Sequence, residues 1–168
     1  MFENLASLSE FQPKFYSGGP IRFYLPLLYD LVADAKPKRV VVVGLGAGDA
    51  FFTFCQAALA QRIDGECIGV RRDRPGESEA EDPAWSDARN YGEEFYGART
   101  RFFSERAPAL AEIENGSVDI LLLDDSDSGR EIRGDLSTWT SKLAPEAVVL
   151  LHGLSLERED SPRAVWDT

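Results

Sequence analysis

The sequence predicts an α/β fold, a doubly wound sheet of parallel strands with helices on both faces, and three observations carry that prediction. Arg39-Val40-Val41-Val42-Val43 sets four valines together, the pattern of a strand covered by helices on both sides, which has no polar face. Gly44-Leu45-Gly46-Ala47-Gly48 follows, with glycine at alternate positions, a turn whose backbone can pass close to a ligand. Phe51, Phe54, Cys55, Ala58 and Leu59 then recur at helical spacing, so the chain leaves the turn as an amphipathic helix. In such a corner the helix N-terminus points N–H groups and the positive end of its dipole at whatever binds.

The remaining elements alternate in the same way. Ser17-Gly18-Gly19-Pro20 is a turn with proline at a helix start, and Ile21, Tyr24, Leu25, Leu28, Leu31, Val32 and Ala35 mark the face of the helix it opens. Lys36-Pro37-Lys38 ends that helix before the valine strand. The helix after the glycine turn spans about 48–62, and Glu66-Cys67-Ile68-Gly69-Val70 is a second strand. Residues 71–83 are charged and lack apolar periodicity, as expected of a mobile loop. Asp82-Pro83 caps a helix carried by Trp85, Ala88, Tyr91, Phe95 and Tyr96. Thr100–Phe103 is a short strand and Pro108–Glu114 a short helix, closed by Asn115-Gly116. Val118–Leu123 is the fourth strand; Ile132, Leu136, Trp139 and Leu143 mark a helix; Ala147–Leu151 is the fifth strand, which delivers His152.

Length and charge narrow the function. At 168 residues the chain is read as a single domain with a lead-in at 1–17, the loop at 71–83 and a polar tail at 153–168. A net charge of −11 opposes binding to phosphate backbones, which argues against a nucleic-acid partner and for a small-molecule or sugar ligand. No apolar run approaches the ~18 residues of a membrane span, and Met1-Phe2-Glu3-Asn4 does not open like a signal peptide. Cys55 and Cys67 read as buried free thiols of a reducing compartment, which gives a cytoplasmic expectation.

Ligands of such sheets bind outside the carboxyl ends of the strands. The candidate site is therefore Gly44, Leu45, Gly46, Gly48 and Asp49, with Arg71, Arg72 and Asp73, then Asp124–Asp127 and His152-Gly153. Asp124 ends a buried strand, where it caps a turn, contacts a cofactor or orients an acceptor hydroxyl as a base. Asp124, Asp125 and Asp127 supply oxygen ligands suited to Mg²⁺, although three acids in one turn are more often a solvated capping loop. His152, the single histidine, is either a general base or a strand-end residue satisfied by backbone. Arg71 and Arg72 read as a solvated basic pair or as an anion site; the latter would suit the 2′-phosphate of NADP. Against NADP stands the glycine spacing, because G-x-G-x-x-G needs glycine at position 49, where Asp49 stands.

The runs Phe54-Cys55-Gln56, Tyr91-Gly92-Glu93-Glu94-Phe95, Asn115-Gly116-Ser117-Val118-Asp119-Ile120-Leu121, Trp139-Thr140-Ser141-Lys142-Leu143-Ala144-Pro145 and Val148-Val149-Leu150-Leu151-His152 form a set with the G-x-G-x-G turn. Together they resemble the class I S-adenosylmethionine (SAM)-dependent methyltransferases associated with, or fused to, bacterial glycosyltransferases. The resemblance runs from about Gly18 to Trp166. It implies a Rossmann-like fold, SAM as cofactor at the first-strand turn, and methyl transfer to a sugar or other small-molecule hydroxyl in glycan or secondary-metabolite synthesis. A glycosyltransferase is the implied partner or fusion. Taken with the crevice positions of the fold, it puts Gly44, Leu45, Gly46, Gly48, Asp49 and Asp124 at the cofactor, Arg71 and Asp73 at the place of the ribose contact, and Asp124 and His152 at catalysis.

The departures from that family pattern are specific. Val42 stands where an acid is usual, Arg71 where an Asp holds the SAM ribose, and Gly153 where an Asp follows the fifth-strand histidine. Such folds usually end in an antiparallel hairpin, and only two residues follow Trp166, so the sequence reads either as a piece of a longer protein or as a domain lacking the hairpin. A carboxylate on two ribose hydroxyls makes bonds of roughly 1.5–3 kcal/mol each, so its loss weakens binding ~10-fold or more unless Asp73 replaces it. Two further readings therefore stand beside the enzyme: a degenerate methyltransferase fold serving as a docking or assembly module in a glycan-building protein, and an NADP-binding oxidoreductase.

Overall fold

The computed structural model describes residues 11–72, 82–124 and 128–153. A 3-10 turn at Pro20–Tyr24 leads into α1 (Leu25–Ala35), followed by β1 (Arg39–Val43), α2 (Asp49–Ala60), β2 (Glu66–Val70) and α3 (Pro83–Phe95). Then come β3 (Thr100–Phe103), α4 (Arg106–Glu112), β4 (Val118–Leu123), α5 (Gly129–Trp139) and β5 (Leu143–Leu151). The five strands form one parallel sheet in the order β3-β2-β1-β4-β5. The order reverses between β1 and β4, so the ligand crevice opens over the ends of those two strands.

The valine run is a central strand for the reason its composition suggests. Val40 and Val42 face one core, with Leu28, Phe51, Phe54 and Trp85 from the side of α1, α2 and α3. Val41 and Val43 face the other, with Ala109, Ile113, Ile132 and Trp139 from the side of α4 and α5. Helices thus cover both faces, and every valine of β1 is buried. Trp85 and Trp139, which mark the apolar faces of their helices, are core residues, and the Asp82 carboxylate caps α3 by accepting from the Trp85 N–H at 3.0 Å.

Three boundaries differ from the sequence reading. The first helix does not run unbroken from Pro20, because Pro26 lacks the N–H that an α-helix would use there and its ring crowds the preceding turn. The chain instead takes the tighter 3-10 turn to Tyr24 and starts α1 at Leu25. The short fourth helix begins two residues earlier, at Arg106, with Pro108 in its first turn, where proline is tolerated. Leu143 is not on the α5 face: α5 ends at Trp139, a 3-10 turn covers Thr140–Lys142, and Leu143 begins a nine-residue β5. The loop at 71–83 and the tail at 153–168 fall largely outside the described residues. Among the described residues no helix is long and apolar enough to cross a membrane.

Both cysteines are free and buried. Burial, then the neighbouring Cys67 thiol, pushes the Cys55 thiol well above its ordinary range. Burial likewise raises the Tyr96 phenol. Both groups are held protonated in the fold, so their contribution is complete below the unfolded values of roughly 8.5 and 10 and is lost as pH rises through the higher folded values. The melting temperature should therefore fall steadily above about pH 9, and Tyr96→Phe should flatten the upper part of that fall; a melting temperature level through this range would contradict the burial argument.

Candidate functional site

The site begins at the end of β1. Gly44 has φ 78°, and its N–H donates to the Val70 carbonyl at 2.9 Å. A Cβ at this position would lie 2.3 Å from the Asp124 carbonyl oxygen, so the two strand ends touch through bare backbone. Gly46, at φ 52°, has nothing within 4 Å of where a Cβ would be, which leaves its backbone open to a ligand. Gly48 closes the turn by donating to the Leu45 carbonyl at 2.9 Å and packs against the Phe52 ring. The Leu45 side chain is 5% exposed and belongs to the core, so any contact it makes with a ligand is through its main chain.

Asp49 opens α2, where a carboxylate suits the positive end of the helix dipole. It is buried: Oδ1 accepts from the Ser17 N–H at 2.7 Å and Oδ2 from the Ser17 hydroxyl. The chain then passes from Ser17 through Gly19 and the 3-10 turn to Tyr24, whose ring stands edge-on to His152 with centroids 6.3 Å apart. Residues 17–24 therefore wall the crevice from the α2 N-terminus to the end of β5. Removing the hydroxyl in Ser17→Ala should cost about 1 kcal/mol and raise amide exchange over 17–24; unchanged exchange there would refute the tie.

Asp124 and His152 come together. The Asp124 N–H donates to the Val43 carbonyl at 2.9 Å, and the His152 N–H to the Leu123 carbonyl at 3.0 Å. These extensions of the ladder set Nδ1 of the imidazole 2.6 Å from Asp124 Oδ1. Both side chains are partly buried. A carboxylate at Nδ1 fixes the ring's orientation and tautomer, which directs proton acceptance to Nε2. Beside the ring lies a cavity of about 700 Å³ lined by Phe23, Tyr24, Leu27, Leu150, Leu151 and His152 among others.

The two arginines part company. Arg71 donates its N–H to Phe103 and its Nε to the Ser104 carbonyl, at 2.8 and 3.2 Å. Arg72 is not a solvated residue: its side chain is 9% exposed, and Nη1 meets Asp135 Oδ2 at 2.6 Å. Arg106 meets the other oxygen of Asp135 at 3.1 Å. Asp73, Asp125 and Asp127 lie outside the described residues, among which no group of three acidic, histidine or cysteine side chains is arranged to hold a metal. Sequence reasoning missed Ser17 and Asp135. Asp135 left a signal, since it interrupts the apolar stripe of Ile132, Leu136 and Trp139 with a charge on the buried face.

The comparisons with known proteins agree with this architecture. The family model described as "Methyltransferase domain" matches residues 41–154, from inside β1 to just beyond His152. The uncharacterised protein y4gI of Sinorhizobium fredii is 33% identical across 73% of this chain, which spans only 14% of that protein. Among solved structures, the SAH-bound methyltransferase PaMTH1 of Podospora anserina superposes with a TM-score of 0.60 at 16% identity, covering 87% of this chain and 58% of that one. The O-methyltransferase TomG of Streptomyces achromogenes, solved with SAM, gives 0.59 at 18% identity over 84% and 65%. The cofactor-bound Rv0187 of MTB gives 0.63 at 15% identity over 97% and 73%. At such identities the superpositions establish the fold, and the fold is the Rossmann-like sheet of class I methyltransferases. With the family model covering well over half its length, the chain belongs to the methyltransferase domain family.

Proposed function

We propose that this domain, a single unit over 1–168, is a SAM-dependent O-methyltransferase acting on a sugar or other small-molecule hydroxyl in the cytoplasm. The observation that supports the reading most is the open glycine turn beside the Asp124–His152 pair. The residues fit the cofactor: Gly46 leaves space for close approach, and the turn leads directly into the N-terminus of α2. Gly44, Leu45, Gly46 and Gly48 would hold it through backbone, with Asp49 shaping the α2 terminus and Asp124 at the far side. When bound, SAM supplies an electrophilic methyl group on sulfur. His152 would take the acceptor's hydroxyl proton at Nε2. Asp124 holds Nδ1 and steadies the positive ring. The walls at 17–24 and β5 position the acceptor, and positioning is a large share of any such acceleration.

The glycan setting, with a glycosyltransferase as partner or fusion, rests on the sequence resemblance. It is compatible with a relative far longer than this chain. The test is transfer of labelled methyl from SAM to a panel of nucleotide sugars, free sugars and small alcohols and phenols. Label in any product supports the reading; none, from a protein that binds SAH, favours the docking module. That second reading has its own support, because Val42 is sealed in the sheet and the Arg71 Nε is turned to the end of β3, so neither place offers a carboxylate. An NADP-linked oxidoreductase has less, since Arg72 is engaged by Asp135.

A further inference from the structure

We propose that Arg72 is a positioning residue for the Asp124–His152 pair, bracing the ends of β2, β1 and β4 against α5. The proposal rests on the functional reading of that pair, and concerns what aims it. Arg72 leaves the end of β2 and passes beneath Gly44, where its Nε would stand 3.3 Å from a Cβ. Its Nη2 donates to the Asp124 carbonyl at 3.0 Å. Its Nη1 is held by Asp135 Oδ2 at 2.6 Å, with Glu131 at 3.9 Å on the same face of α5.

Asp124 is thereby gripped on both main-chain groups, its N–H by Val43 and its carbonyl by Arg72. With both main-chain groups held, the direction of the Asp124 Cα–Cβ bond is set, and from it the carboxylate reaches Nδ1 of His152 at 2.6 Å. The anchor is firm because Asp135 is 3% exposed and both its oxygens are met by guanidinium groups, Oδ2 by Arg72 and Oδ1 by Arg106. The brace also requires a guanidinium. Two donors in one rigid plane must reach an acid on a helix and a carbonyl on a strand at once, and a single ammonium nitrogen lacks that span. The bareness of Gly44 is part of the same device, since a side chain there would occupy the space the brace crosses.

The chain has one histidine, so nitrogen-15 NMR of the ring reads the pair without interference. At about pH 9, where an ordinary imidazole is neutral, the wild-type protein should show the proton on Nδ1. Arg72→Lys, which keeps charge and most of the volume, and Asp135→Asn, which removes the anchor, should each shift the ring to a tautomer mixture favouring Nε2. The amide spectrum should stay dispersed. Where an acceptor is known, kcat should drop about 10²-fold with KM little changed, as for a displaced catalytic group. Arg72→Ala should recover the Nδ1 tautomer when guanidinium ion is added. An Nδ1 tautomer unmoved in both Arg72→Lys and Asp135→Asn would overturn the proposal. So would loss of amide dispersion in both, since Arg72 would then serve folding in general. Failure of the wild-type protein to bind SAH would remove the methyltransferase reading yet leave this tautomer result standing.

Discussion

Replacing Gly44 with alanine is expected to destabilise the fold by about 3 kcal/mol and to abolish ligand binding at the turn. Two penalties add. The residue sits at φ 78°, a left-handed conformation costing a side-chain-bearing residue roughly 1–2 kcal/mol. The new methyl would also lie 2.3 Å from the Asp124 carbonyl oxygen, and overpacking typically costs about 1–3 kcal/mol. The obstructing atom is a backbone carbonyl oxygen that accepts from Arg72, and the N–H of the same residue is tied to β1, so it cannot swing away. For a chain of this size the loss corresponds to a melting temperature lower by roughly 6–12 °C, measurable by thermal or urea unfolding. Gly46→Ala is the control: its position is equally left-handed but open, so only the conformational penalty of about 1–2 kcal/mol applies. Equal losses at the two positions would show that the contact between the β1 and β4 ends does not exist.

His152→Gln is expected to lower methyl transfer by about 10²–10⁴-fold, the range of a lost general base, with SAH affinity little changed. The side chain lies at the end of β5 with its ring on Asp124, and the glycine turn that would hold the cofactor does not depend on it. Glutamine fills part of the space and its amide can still donate to Asp124, but it takes no proton near neutrality. Rate and affinity should therefore separate. Parallel loss of both would make His152 a structural end to the strand, which was the other reading of a lone histidine at this place.

How much of this was legible in the sequence follows from how local each signal is. Four valines followed by alternating glycines prescribe β1, the turn and α2, because burial on both faces and positive φ are demands of the segment itself. Asp82 before Pro83 announced α3 for the same reason. The end of α5 was ambiguous, since Trp139 and Leu143 share helical spacing while Leu143 also suits the start of a strand. Arg71 and Arg72 are chemically identical neighbours, yet successive residues at a strand end point to opposite sides. One meets Ser104 and the other Asp135. The Ser17–Asp49 and Arg72–Asp135 pairs join residues 32 and 63 positions apart, so only tertiary structure brings them together.

The central claim is that the corner built by Gly44–Asp49 and Asp124 holds SAM. It is tested most directly by isothermal titration of the protein with S-adenosylhomocysteine, with NADP run alongside. Saturable SAH binding in the micromolar range, equivalent to about 8 kcal/mol, is expected, with no response to NADP. Absence of SAH binding at millimolar ligand, or saturable binding of NADP in its place, would contradict it.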